Sequence, residues 1–174
     1  MSRIVRVDGG QFRYVQNISV GRHKLRADEP VDAGGQDAGP GPYEMLLAGL
    51  GACTNITVQM YAERKQWPLK EIRVDLSYAK VRDDSVAKPE VMLVDEIEME
   101  IEFVGDLTDE QRERLMQIAN KCPLHRTLRS AIKIRTRPAK VEPWRDPTSE
   151  DHTSIRDCLL SRARESTLPN AIPE

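Results

Sequence analysis

Three cysteines, Cys53, Cys122 and Cys158, are the residues of this chain with the clearest capacity for chemistry. Their settings differ. Cys122 precedes Pro123 at the start of a short helical segment, where proline suits the first turn. A thiolate there gains from the positive end of the helix dipole, and His125 and Arg126 follow with further positive charge. Cys122 therefore has the pattern of a reactive thiol. Cys53 falls in the middle of a long apolar segment and reads equally as a functional thiol or a core one, because free cysteine is among the most buried residue types. Cys158 lies in a polar C-terminal stretch and reads as an incidental thiol. The step Cys122-x-x-His125 also permits a metal reading. A structural zinc site needs four ligands, and with Cys53 added there are three, so no metal is expected. His23 reads as a strand residue and His152 as a solvated one.

Composition bounds what surrounds these thiols. The 174 residues amount to about one domain with a tail. Basic residues number 26 and acidic ones 28, a net charge of -2, which gives no support to a nucleic-acid or membrane-surface partner. Hydrophobic residues at 39% and charged ones at 31% indicate an ordered globular chain. Aromatics are 5%, so the core rests on aliphatic side chains. Three scattered cysteines do not make a secreted disulfide scaffold. The N-terminus carries no apolar signal-like core, and no run of about 18 apolar residues occurs. The expectation is a cytoplasmic protein with reduced thiols and no membrane span.

The elements that must position the thiols can be read in order. Ile4 to Val7 and Phe12 to Val15 flank Asp8-Gly9-Gly10 and predict a hairpin, with a third strand over His23 to Ala27. Glu29 to Pro42, with three prolines and the pair Gly34-Gly35, is a loop. A long helix runs from Pro42 or Glu44 to about Lys65, and Trp67-Pro68 ends it. Its segment Met45 to Cys53 has no charge and should be buried on most sides. Gly49 and Gly51 within it imply close packing or backbone access near Cys53, with packing favoured. Ile72, Val74, Leu76 and Tyr78 alternate with polar residues, as do Ile97, Met99, Ile101 and Phe103 with four glutamates. These are two antiparallel strands with one solvated face. The polar stretch Arg82 to Pro89 links them. Thr108 to Gln111 is a capping box opening a helix to about Asn120. A short helix follows from Pro123, and Ile132 to Thr136 predicts a last strand. The order β-β-β-α-β-β-α-α-β describes an α+β domain over residues 1–140 with a mainly antiparallel sheet. Residues 141–174 form a polar tail with a short helix predicted around Ser154 to Arg164. No phosphate loop, dinucleotide fingerprint, His-Glu-x-x-His or Gly-x-Ser-x-Gly occurs.

Two segments carry a resemblance. Gly41-Pro42-Tyr43-Glu44-Met45-Leu46-Leu47-Ala48-Gly49-Leu50-Gly51-Ala52-Cys53-Thr54 resembles the central-helix motif of the OsmC/Ohr family. Asn120-Lys121-Cys122-Pro123-Leu124-His125-Arg126-Thr127-Leu128 resembles its second cysteine motif. The resemblance spans residues 1–140 and implies an intertwined homodimer, its sheets wrapping paired central helices and its sites at the subunit interface. It implies a thiol-dependent peroxidase acting on small hydrophobic organic hydroperoxides. Cys53 is then the peroxidatic cysteine and Cys122 the resolving one, recycled by an external dithiol, often a lipoyl group in the family, with no metal or other cofactor. A thiolate in mid-helix has no helix terminus to stabilise it and needs a cation near its sulfur. The family uses an arginine from the N-terminal strands, held by a glutamate near the helix start. Glu44 and Arg22 are the assignments here, with Arg13 and Arg26 near Arg22. The best-studied peroxidases carry the glutamate where this chain has Tyr43, one helical position earlier. The alternative is a non-peroxidase OsmC-like protein that binds an apolar or thiol-bearing small molecule.

Overall fold

The computed structural model describes residues 4–10, 12–82 and 93–139. The chain divides between Ile132 and Lys133 into two units, each treated by itself. The first unit is α+β with antiparallel sheets, as expected. Strands β1 (Val5–Asp8), β2 (Gln16–Val20) and β3 (His23–Ala27) form one sheet in that order. Helix α1 (Pro42–Lys65) follows, then the long pair β4 (Leu69–Arg82) and β5 (Leu93–Gly105), and the helices α2 (Asp109–Ala119) and α3 (Pro123–Leu128).

The first hairpin differs from expectation. Phe12 to Val15 is a turn rather than a strand: Arg13 has φ 32 and Val15 N–H donates to the Phe12 carbonyl at 2.8 Å. The ladder therefore starts later, with Val5 opposite Val20 and Val7 opposite Ile18. The β2–β3 connection is the two-residue turn Gly21-Arg22, with Gly21 at φ 58. A positive φ at the first central position is the geometry in which glycine suits a hairpin. Cross-strand partners share a face, so Val5, Val7, Ile18, Val20 and Leu25 form one apolar surface. Val5, Val7 and Leu25 are 57%, 55% and 51% exposed. Among the described residues, nothing covers Val5, Val7 and Leu25 on that surface.

Helix α1 starts at Pro42 because Gly41 caps it in extended conformation and the Gly41 N–H donates to Glu44 Oε2 at 2.7 Å. It ends at Gln66, which takes the left-handed conformation at φ 56. One stripe of the helix is buried: Leu50, Thr54, Val58 and Ala62, four residues apart, with Gly51 beside them. A Cβ at Gly51 would stand 3.0 Å from Leu76, so Gly51 serves close packing against β4. At Gly49 the nearest atom would be 3.7 Å away, and packing within this chain makes no such demand.

The β4–β5 register sets Ile72 opposite Phe103, Val74 opposite Ile101 and Leu76 opposite Met99, so the apolar faces coincide. Glu96, Glu98, Glu100 and Glu102 are exposed, and Glu102 pairs with Arg73 at 2.9 Å. The core joins Val58 and Ala62 of α1 to Phe103 of β5 and to Leu115 and Ala119 of α2. Thr108 caps α2 by accepting the Gln111 N–H, and Arg112 ties the helix to β5 through the Phe103 and Gly105 carbonyls. Leu115 has no exposed surface. Leu115→Ala is expected to cost about 2–5 kcal/mol, the range for an emptied leucine site, read as a lower urea midpoint with an unchanged slope.

The strand predicted over Ile132 to Thr136 does not form. Residues 131–139 carry no regular structure and are exposed. A strand requires a ladder partner, and among the described residues none pairs with this segment. The Arg82 to Pro89 link lies largely outside the described residues. The tail 141–174, with its predicted helix, Cys158 and His152, lies wholly outside them.

Candidate active site: a paired thiol between two helices

The route to the site begins at Asp28, which is 2% exposed. Its Oδ1 accepts the Glu29 N–H at 2.9 Å, and its Oδ2 accepts the Gln36 and Ala38 N–H groups at 2.9 and 3.2 Å. Burial works to raise the Asp28 pKa, but these backbone donors outweigh it and hold the carboxyl below its ordinary range. The carboxylate thus folds the loop 29–41 onto itself and delivers Gly41 to the start of α1. The loop and Tyr43 line a cavity of about 240 Å³.

Along α1, residues recur at 100°. Leu46, Gly49, Cys53, Ile56 and Met60 fall within about 80° of one another, on the side away from the core stripe. Leu46, Ile56 and Met60 are 37%, 58% and 64% exposed. Cys53 lies at the border between this open apolar face and the core, and is half-buried. One residue further, Thr54 faces inward and is fully buried.

Cys122 comes from the other side. It caps α3, accepting the His125 N–H on its sulfur at 3.2 Å, and it has no exposed surface. Thr54 Oγ1 donates to Cys122 Sγ at 3.5 Å, and Cys53, the residue before Thr54 on α1, is among the groups that act on the same sulfur. The structure therefore brings the two cysteines together although 68 residues separate Thr54 from Cys122. Burial pushes the Cys122 pKa up. The Thr54 hydroxyl, the His125 N–H, the Cys53 thiol and the Leu124 N–H outweigh that cost, and the net shift is downward. The surroundings of Cys122 thus favour its thiolate.

The other two assigned residues stand elsewhere. Glu44 is exposed, engaged in capping, and nine positions from Cys53, a rise of about 13 Å at 1.5 Å per residue. Arg22 is exposed at the β2–β3 turn. Among the described residues, no ion pair joins Arg22 to Glu44. His125 meets the cysteine through its backbone, and among the described residues no group of three His, Cys, Asp or Glu side chains could hold a metal.

Two features were missed in the sequence. Thr54 is one, and its signal was a hydroxyl residue inside an apolar stripe of period four. The other is a polar cluster on the β4–β5 pair. Tyr78 and Lys80 each donate to Asp95 Oδ1 at 2.7 Å, and Tyr43 stacks on Tyr78 with ring centroids 4.3 Å apart. The bond to Asp95 pushes the Tyr78 pKa well up, and keeps Asp95 below its ordinary range together with Lys80. Asp95 also lines a cavity of about 250 Å³ with Leu50, Ile97, Met99, His125 and Arg129, next to the cysteine pair.

A long central helix against antiparallel strands, with a cysteine in mid-helix and a second at the cap of a later helix packed on it, defines an α+β protein with two neighbouring cysteine-bearing helices. The sequence profile of the OsmC-like protein family matches residues 34–137, and the chain belongs to that family. Solved structures agree on the fold. An OsmC-like protein from Mycoplasma pneumoniae is similar at a TM-score of 0.59 and 19% identity, over 74% of this chain and 87% of that one. An organic hydroperoxide resistance protein OsmC from Legionella pneumophila matches at 0.55 and 20%, over 74% and 90%. The organic hydroperoxide resistance protein OhrB of Bacillus subtilis matches at 0.52 and 19%, over 74% and 91%. No curated protein matches the chain. Among the described residues no helix is long and apolar enough to cross a membrane.

Proposed function

We propose that this protein is a thiol-dependent peroxidase that reduces organic hydroperoxides. The observation that supports the reading is the meeting of α1 and α3 beside Cys53, where Thr54 reaches the Cys122 sulfur at 3.5 Å. The Cys53 sulfur attacks the distal peroxide oxygen, the O–O bond breaks, and the alcohol leaves with a proton. Cys53 is then a sulfenic acid. The Cys122 thiolate attacks that sulfur and displaces hydroxide, which leaves as water once protonated, and a Cys53–Cys122 disulfide remains. An external dithiol, lipoyl-like in the family, reduces the disulfide and is itself oxidised. The half-buried position of Cys53 beside an apolar helix face suits a hydrophobic peroxide. A reducing compartment, the cytoplasm, suits a pair that must be recycled.

Completion of the site falls to a second copy of the chain. Leu46, Ile56 and Met60 on α1 and Val5, Val7 and Leu25 on the sheet are exposed apolar side chains, and grouped apolar exposure of this kind marks an interaction surface. A homodimer that buries both can carry an arginine of the N-terminal sheet, Arg22 in our assignment, to the partner's Cys53. Glu44 would orient it from the helix start.

The test is consumption of cumene hydroperoxide by the purified protein with excess dithiol, at a rate proportional to enzyme and far above the protein-free mixture. A rate equal to that mixture removes the peroxidase reading. It would favour the second one, a binding protein for an apolar or thiol-bearing small molecule. That alternative draws on one fact: among the described residues, Glu44 and Arg22 have no bond to Cys53.

A further inference from the structure

We propose that Thr54 is a positioning residue that sets the redox poise of the Cys53–Cys122 pair by holding the Cys122 sulfur through its hydroxyl. The inference rests on the paired-thiol reading above and extends it to a residue that neither forms nor breaks a bond.

The geometry of Thr54 is unusual for a helical threonine. Such a hydroxyl normally bonds back to the carbonyl four residues earlier. Thr57, one turn on, does so, donating to the Cys53 carbonyl at 2.7 Å. Thr54 turns instead to two sulfurs, Cys122 Sγ at 3.5 Å and Met99 Sδ at 3.9 Å. It is fully buried in a stripe whose other members, Leu50, Val58 and Ala62, are apolar. Burying a hydroxyl there costs stability unless it finds an acceptor. A valine would fill the same shape without that demand. The hydroxyl is thus directed at the cysteine, and a thiolate is the stronger acceptor of the two sulfurs.

The consequence is a linkage. Closing the disulfide converts two thiols into one S–S bond, with two electrons passing to an oxidant and the protons to solvent. The hydroxyl stabilises the reduced pair when Cys122 is ionised, and a thioether-like disulfide sulfur accepts the bond poorly. Thr54 therefore makes the disulfide easier to reduce, as other stabilised thiolates do in dithiol pairs. Among the described residues, the groups acting on the Cys122 sulfur are Cys53 and Thr54 from α1 and the backbone N–H groups of Leu124 and His125 from α3, and Met99 of β5 shares the Thr54 hydroxyl. Of the ionisable residues lining the adjacent cavity, Asp95 comes from β5, and His125 and Arg129 lie at α3.

The experiment equilibrates the full-length protein with mixtures of reduced and oxidised dithiothreitol from pH 5 to pH 9. The disulfide fraction is read by mass spectrometry after acid quench and alkylation. Thr54→Val is expected to hold the disulfide about tenfold more firmly than the wild type at high pH, about 30 mV in potential. The difference should fade toward pH 5, where the sulfur is protonated and the hydroxyl gains no charged acceptor. Thr54→Ser, which keeps the hydroxyl, should stay close to the wild type throughout. A packing role would shift the constant equally at every pH and would not spare serine. Equal constants for valine and wild type, or a pH-independent shift, overturn the proposal. Thr54→Ala carries the same expectation if circular dichroism finds the valine variant unfolded. A wild type that never closes the Cys53–Cys122 bond refutes the pairing itself. A pair that closes yet ignores the hydroxyl refutes Thr54 alone.

Discussion

Cys53→Ser is expected to bring hydroperoxide consumption down to the rate of the protein-free mixture while leaving the fold intact. Serine differs from cysteine by one atom, and the site is half-buried, so little packing is lost. What is lost is the only atom of the pair with access to a substrate: Cys122 has no exposed surface and cannot meet a peroxide. A hydroxyl cannot replace it, because the nucleophile in such chemistry is a thiolate. Cys122→Ser should behave differently. The first oxidation proceeds and the second cannot, so a sulfenic acid accumulates at Cys53 and is trapped by a dimedone-type probe. Equal turnover by the wild type and Cys53→Ser would sink the assignment. Failure of Cys122→Ser to label after one equivalent of peroxide would sink the two-step scheme while leaving Cys53 as the reactive thiol.

Why local patterns could single out the two cysteines, while only the family resemblance related them, follows from what a linear pattern encodes. Pro123 after Cys122 and the uncharged run before Cys53 are local signals, and they placed one sulfur at a helix cap and the other in mid-helix. The alternation through Ile72 to Tyr78 and through Ile97 to Phe103 fixed which strand faces turn inward, and the observed register agrees. Contact between α1 and α3 depends on how the chain returns through β4, β5 and α2, which no local period records. Thr54 illustrates the limit. Its position in a stripe of period four marks it as buried, but its acceptor lies 68 residues away. Backbone conformation supplied the other departures. Phe12 to Val15 has strand-like composition, yet Arg13 adopts φ 32 and turns the chain. Ile132 to Thr136 has β-branched residues and no ladder partner, and propensity without a partner makes no strand.

Within one chain, the groups that donate to a cysteine sulfur serve Cys122: the Thr54 hydroxyl and the His125 N–H. Those donors favour a thiolate on the sulfur that must wait, not on the one that must attack. A cation beside Cys53 would favour the attacking thiolate, and among the described residues none bonds that sulfur. The proposed second copy would supply that cation. Charges on the two uncovered apolar faces test this: Val7→Glu on β1 together with Met60→Glu on α1. Both side chains are more than half exposed in the single chain, so neither change should disturb its own core. Buried unpaired at an interface, each carboxylate costs several kcal/mol, and every 1.4 kcal/mol weakens association tenfold. The double variant is expected to sediment as a monomer with a native circular dichroism spectrum and to lose hydroperoxide turnover at least a hundredfold. Diamide should still close its Cys53–Cys122 disulfide, because both sulfurs belong to one chain. A folded monomer with full turnover would show that one chain activates Cys53 unaided, and a variant that stays dimeric would move the interface away from these two faces.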